Sequence, residues 1–127
     1  MRQRRTQPCP IDSQKNPQED TLKLYIIVRA DLPPGAQCAQ ACHAMRLWSH
    51  EHEVTDRHWY HKSNNLVILQ VPNEACLKHL AGRAEEAGVE HSVFREPDYD
   101  NTITAVTIEP AGKKLLSNLR LALRDAA

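Results

Sequence analysis

The stretch KLYIIVRADLPPGAQCAQACHAMRL, residues 23–47, decides the fold. Leu24, Tyr25, Ile26, Ile27 and Val28 form an unbroken apolar run, the pattern of a strand covered on both faces. Arg29, Ala30 and Asp31 leave that strand, and Leu32-Pro33-Pro34-Gly35 makes a turn. A proline at the first helical positions has its φ already set for a helix. Cys38, Ala41, Cys42, Met45 and Trp48 then recur at helical spacing and predict one apolar stripe, with Gln40, His43 and Leu47 on a different face and Gln37 beside them. The carboxyl end of a strand thus feeds a helix N-terminus. Open α/β sheets place ligands there, and backbone N–H groups favour anions.

Outward from this unit, residues 66–71 (LVILQV) read as a second buried strand. Asn73 is a good N-cap for a helix carrying Ala75, Cys76, Leu80, Ala84 and Ala87, which ends at Gly88. A third strand is predicted over 89–95, a turn over 96–101, and a β-branched fourth strand over 102–109. Pro110-Ala111-Gly112 opens a last helix with Leu115, Leu116 and Leu119 on one side, and 121–123 return against the core. The polar segment 51–65 reads as a solvated loop, with Trp59 and Tyr60 covering an edge. His50, His52, His58 and His61 have spacings that can bind zinc, but no cysteine or second histidine pair stands at a zinc-finger distance. The order β-α-β-α-β-β-α predicts an α/β fold: a three-layer α/β/α domain on a mixed four-stranded sheet, with an antiparallel hairpin at its end.

Composition bounds the class. The 127 residues suit one domain over 21–127, preceded by a polar tail, 1–20, with Pro8, Pro10 and Pro17, read as disordered. Arg2, Arg4 and Arg5 make that tail either an arm for phosphates or a solvated terminus. Sixteen Lys and Arg balance sixteen Asp and Glu, which counts against a protein basic over a whole face. No apolar run reaches the roughly 20 residues of a membrane span, and the first residues lack a secretory apolar core. A cytoplasmic protein with reduced, mostly buried thiols at Cys9, Cys38, Cys42 and Cys76 is the reading. Cys42 and His43 are adjacent on a helix, so their side chains diverge by about 100° and cannot act as a nucleophile pair.

Two segments resemble the type 2 peptidyl-tRNA hydrolase family. Val28, Arg29, Asp31, Leu32 and Gly35, followed by Cys38-Ala39-Gln40-Ala41-Cys42-His43-Ala44, resemble its opening strand, turn and helix. Thr104 to Pro110 resembles its last strand, with Thr104 in the place of a threonine near the active site, and NLRLAL at 118–123 resembles its close. The resemblance implies a compact α/β/α domain that hydrolyses the ester between peptide and tRNA without metal or organic cofactor, with a homodimer plausible. It also has departures. Ala36 stands where the family has a lysine, and Ser92 and Glu96 stand where it has an acidic residue and a threonine beside the arginine matched by Arg95.

The candidate site follows. Glu96 or Asp98, in the turn that also holds Asp100, would activate water. His43 would share that work, having the side chain that titrates nearest neutrality, and Thr104 and Gln40 would position groups. Arg95 would hold phosphate or polarise the ester, Arg29 and Arg46 would contact phosphate, and Gly35 would open the helix N-terminus to the substrate. The plain alternatives are turn carboxylates and a packing histidine. At the level of the whole protein, the alternative is a binding module for RNA, a nucleotide or a protein that kept the fold and lost the activity.

Overall fold

The computed structural model describes residues 22–124. The elements are β1 (Lys23–Arg29), α1 (Pro34–Glu51), α2 (Glu53–Lys62), β2 (Asn65–Val71), α3 (Glu74–Ala87), β3 (His91–Glu96), β4 (Thr102–Ile108) and β5 (Arg120–Leu121). Short 3₁₀ turns lie at Pro97–Tyr99 and Pro110–Leu116. The sheet order is β3-β4-β1-β2-β5. β1 and β2 are parallel, while β4 runs antiparallel to both β1 and β3. The tail 1–20 lies outside the described residues.

β1 sits at the centre because both of its faces are apolar. Ile26 and Val28 pack with Ala105 against Ala41 and Ala44 of α1. Tyr25 and Ile27 pack with Leu69, Val71, Val106 and Ile108 against Leu77, Leu80 and Ala84 of α3. Alanines on the inner face of α1 let the helix approach closely, so that the Thr107 hydroxyl donates to the Ala44 carbonyl at 2.9 Å. Asn73 caps α3, accepting the Cys76 N–H at 3.1 Å, and Gly88 closes it at φ 70°.

Four sequence expectations are corrected. The inner face of α1 is Gln37, Gln40, Ala41, Ala44 and Trp48, while Cys38 and Cys42 are exposed. The helix is therefore turned from the predicted stripe, because the sheet beneath it offers polar partners to glutamines. Segment 51–65 is not a loop, since α2 occupies most of it. Glu53 and Asp56 in its first turn and His61 and Lys62 in its last suit the helix dipole. Trp59 anchors α2 beside Trp48 and Leu24, whereas Tyr60 is exposed. The Trp48 indole donates to Asp56 at 3.0 Å and the Trp59 indole to the Asn65 carbonyl at 2.8 Å. Among the described residues the sheet has five strands, because 120–121 pair antiparallel with the edge of β2. Finally, the last helix is a 3₁₀ turn.

That last turn packs tightly. A methyl group on Gly112 would fall well inside contact distance of Ile108 Cγ2 and 2.8 Å from Val89 Cγ1. Both neighbours are branched at Cβ and cannot swing away freely. Gly112→Ala is expected to destabilise the fold by about 1–3 kcal/mol, as overpacking does. A urea-denaturation difference below about 0.5 kcal/mol would show that the turn has room.

Candidate active site

The sheet brings three chain ends together. β4 starts, and β3 finishes, at the end of the sheet where β1 runs out into the turn before α1. Between Phe94 and Arg95 the β3–β4 register shifts: Phe94 faces Ala105, but Arg95 faces Ile103, so Thr104 is the extra residue of a bulge. Bulges re-aim side chains. Here Thr104 points to the α1 side next to Ala105, which already packs there.

Gln40 joins the three elements. Its Nε2 donates to Glu96 Oε1 at 2.8 Å, and its Oε1 accepts the Thr104 hydroxyl at 2.6 Å. A carboxylate only accepts, so the amide orientation is fixed by chemistry. All three side chains are buried. Glu96 Oε2 lies at the outer end, accepting the backbone N–H of Asp98 at 3.2 Å and so capping the turn that follows. The Gln40 amide, the Asp98 N–H and the nearby His43 all hold the Glu96 carboxyl below its ordinary value of 4.5, against the pull of burial. Glu96 is therefore a carboxylate at neutral pH.

His43, one helical turn beyond Gln40, is exposed and stacks on Phe94, with centroids 4.9 Å apart and planes 15° apart. Phe94 and Glu96 share one side of β3, and Ser92 two residues earlier donates to Glu51 at 2.6 Å. Asp98 is exposed beside Glu96. Gly35 is exposed at the start of α1, whose N-cap Pro33 provides no side-chain hydrogen bond. Arg46 lies one turn after His43 and lines a groove with it and with Phe94.

Two arginines stand apart from this cluster. Arg95 alternates to the opposite side of β3, where it donates to the Asn101 carbonyl at 3.2 Å. Arg29 forms a two-pronged pair with Asp31, both contacts at 3.0 Å, and reaches the Thr102 hydroxyl at 3.2 Å. The Asp31 hydrogen bond raises its pKa further, so Arg29 clamps the start of β4 to the end of β1 as a permanent cation.

Sequence reasoning gave Phe94 no part in the site and placed Gln37 beside Gln40 without a role. Gln37 is buried and donates to Leu32 O at 2.6 Å, which holds the turn, while its Oε1 is without a donor among the described residues. The signal for it was its helical phase with Ala41, Ala44 and Trp48.

Fold and site together define a small α/β domain with a buried carboxylate–amide–hydroxyl chain at the head of its first helix. The chain belongs to the PTH2 peptidyl-tRNA hydrolase family, whose sequence model matches residues 22–124. It is 30% identical to the proteins named "Putative peptidyl-tRNA hydrolase PTRHD1" of Homo sapiens and of Mus musculus. The human match covers 71% of each chain, and the mouse match covers 73% of this chain and 74% of the relative. A solved structure of a protein of unknown function, Atu0240, from Agrobacterium tumefaciens C58, shares the fold at TM-score 0.58 and 14% identity, over 80% of this chain and 97% of its own. Among the described residues no helix is long and apolar enough to cross a membrane.

Replacing Gln40 tests the electrostatics directly. Gln40→Leu removes the largest influence holding the Glu96 carboxyl down, so its titration should move up, read by carboxyl ¹³C chemical shift. The stability consequence has a definite sign. A depressed folded value means stability that is complete above the unfolded value near 4.5 and is lost as pH falls through the folded one. The stability gap between wild type and Glu96→Gln should therefore shrink as pH falls below about 4.5; a gap independent of pH would contradict the assignment.

Proposed function

We propose that this protein hydrolyses the ester between a peptide and the 3′ end of tRNA, with Glu96 at the reacting centre. The observation that carries this reading is the buried Glu96–Gln40–Thr104 chain, which ends outward in an ionised carboxylate beside exposed Asp98 and His43. A water molecule at Glu96 Oε2 attacks the ester carbonyl carbon and gives its proton to the carboxylate. The bond to the ribose oxygen then breaks, and that oxygen takes the proton back from Glu96. Donors for the developing oxyanion come from the backbone N–H groups in the uncapped first turn of α1, around Gly35 and Ala36. Gln40 and Thr104 position the carboxylate. Arg46, on the same groove as His43, takes the phosphate role, and Arg95 and Arg29 serve the hairpin and the turn. We propose a cytoplasmic setting, in keeping with that substrate.

A second reading rests on Ala36. The family's lysine is absent at that position, and the depressed pKa of Glu96 makes it a weak base. The same cleft would then bind a tRNA end without cleaving it.

Release of the acyl group from an N-acetylated aminoacyl-tRNA separates the two. Wild-type turnover that drops about 100-fold or more in Glu96→Gln supports hydrolysis by this carboxylate. No turnover in wild type, with activity appearing in Ala36→Lys, identifies a binding module that lacks one side chain. Wild-type turnover unchanged in Glu96→Gln would remove Glu96 from the mechanism.

A further inference from the structure

We infer that His43, Phe94 and Arg46 form a seat for the 3′-terminal nucleotide of the tRNA, its base lying on the open face of the His43–Phe94 stack; the inference rests on tRNA being the ligand. An open groove of about 520 Å³ runs along α1 from this stack, past Arg46 and Ser49, to His50 and Glu53. His43, Arg46 and His50 recur at three- and four-residue spacing, so they line one side of the helix. The imidazole lies nearly parallel to the Phe94 ring, 4.9 Å away, so one of its faces is covered, while His43 as a whole is exposed. A third flat ring extends such a column at little cost in specificity, because every base has a π-face.

Polarity along the groove follows from charge. Arg46 and His50 offer donors to a phosphate, while Glu53 repels one at the far end. The backbone of the bound strand therefore crosses at Arg46. The seat also lies at the right remove from the chemistry. Phe94 is two residues before Glu96 on the same side of β3, about 7 Å along a strand. A base on the stack thus puts its ribose hydroxyls, and the ester they carry, beside the carboxylate.

The test compares an uncharged acceptor minihelix ending in single-stranded ACCA with the same minihelix made blunt, by fluorescence anisotropy. Wild type should bind the ACCA form at least about 5-fold more tightly. Phe94→Leu should abolish that preference and Phe94→Tyr should restore it, which separates stacking from simple packing. Arg46→Glu, an exposed change, should weaken binding and lower the salt slope by about one phosphate contact. Equal binding of the two forms, or a preference unchanged in Phe94→Leu, would overturn the seat. The N-acetylaminoacyl-tRNA assay keeps the two proposals apart. An aromatic-dependent ACCA preference without turnover keeps the seat and removes the hydrolysis. Turnover whose KM is unmoved by Phe94→Leu and Arg46→Glu keeps the hydrolysis and removes the seat.

Discussion

The arrangement depends on one amide. Gln40 offers its nitrogen to a buried carboxylate and its oxygen to a buried hydroxyl, and so ties α1 to β3 and β4 at once. A buried polar chain is favourable only when each member is satisfied, since an unpaired charge in a low-dielectric interior costs several kcal/mol. Both ends of the Gln40 amide are used, and Glu96 gains a backbone donor as well. The alanine contacts with Ile26, Val28 and Ala105 fix the distance between layers but not the rotation of the helix. The glutamine fixes the rotation, together with the Thr107 bond to the Ala44 carbonyl and the Ser92 bond to Glu51. That choice places His43 outward on Phe94 and leaves Cys38 and Cys42 exposed.

This is also where the sequence could mislead. Hydrophobic periodicity finds an inner face when the inner face is apolar. In α1 two of the five buried residues are glutamines, so the cysteines and Met45 offer an equally good stripe one position away. The family resemblance singled out Gln40, His43 and Thr104, but it did not say that Gln40 faces inward. The α3 unit was legible because its signals are local: an Asn cap, apolar spacing, a left-handed glycine. α2 was not, since a polar segment held by one tryptophan has almost no apolar period, and its partner Trp48 lies 11 positions earlier. The Thr104 bulge and the two-residue β5 are likewise properties of pairing between distant strands, which no single segment encodes.

Arginine roles show the same limit. Three residues separate Arg29 from Pro33, and Arg95 directly precedes Glu96, so sequence proximity puts both beside the site. Strand alternation sends them elsewhere. Arg29 spends its guanidinium on Asp31 and Thr102, and Arg95 lies across the sheet from Phe94 and Glu96. Arg46, which the linear order puts furthest into the helix, is the arginine that shares a groove with His43.

Charge balance constrains how such a site can hold a polyanion. With 16 basic and 16 acidic side chains, the molecule carries no net charge to draw a polyanion from a distance, and surface pairs are screened within about 8 Å at physiological salt. On the proposed reading, recognition comes from short-range contacts: a base on an aromatic column, one or two phosphates, and the ester at the carboxylate. The His43–Phe94 stack, the groove at Arg46 and the Glu96 carboxylate all lie near Gln40 along α1 or β3. A ligand met this way is held by its end and not by its length. That accords with the proposed action at the single-stranded terminus, where every tRNA is alike. On that proposal a zero net charge suits turnover, because weak attraction to the tRNA body lets the product leave once its end is free.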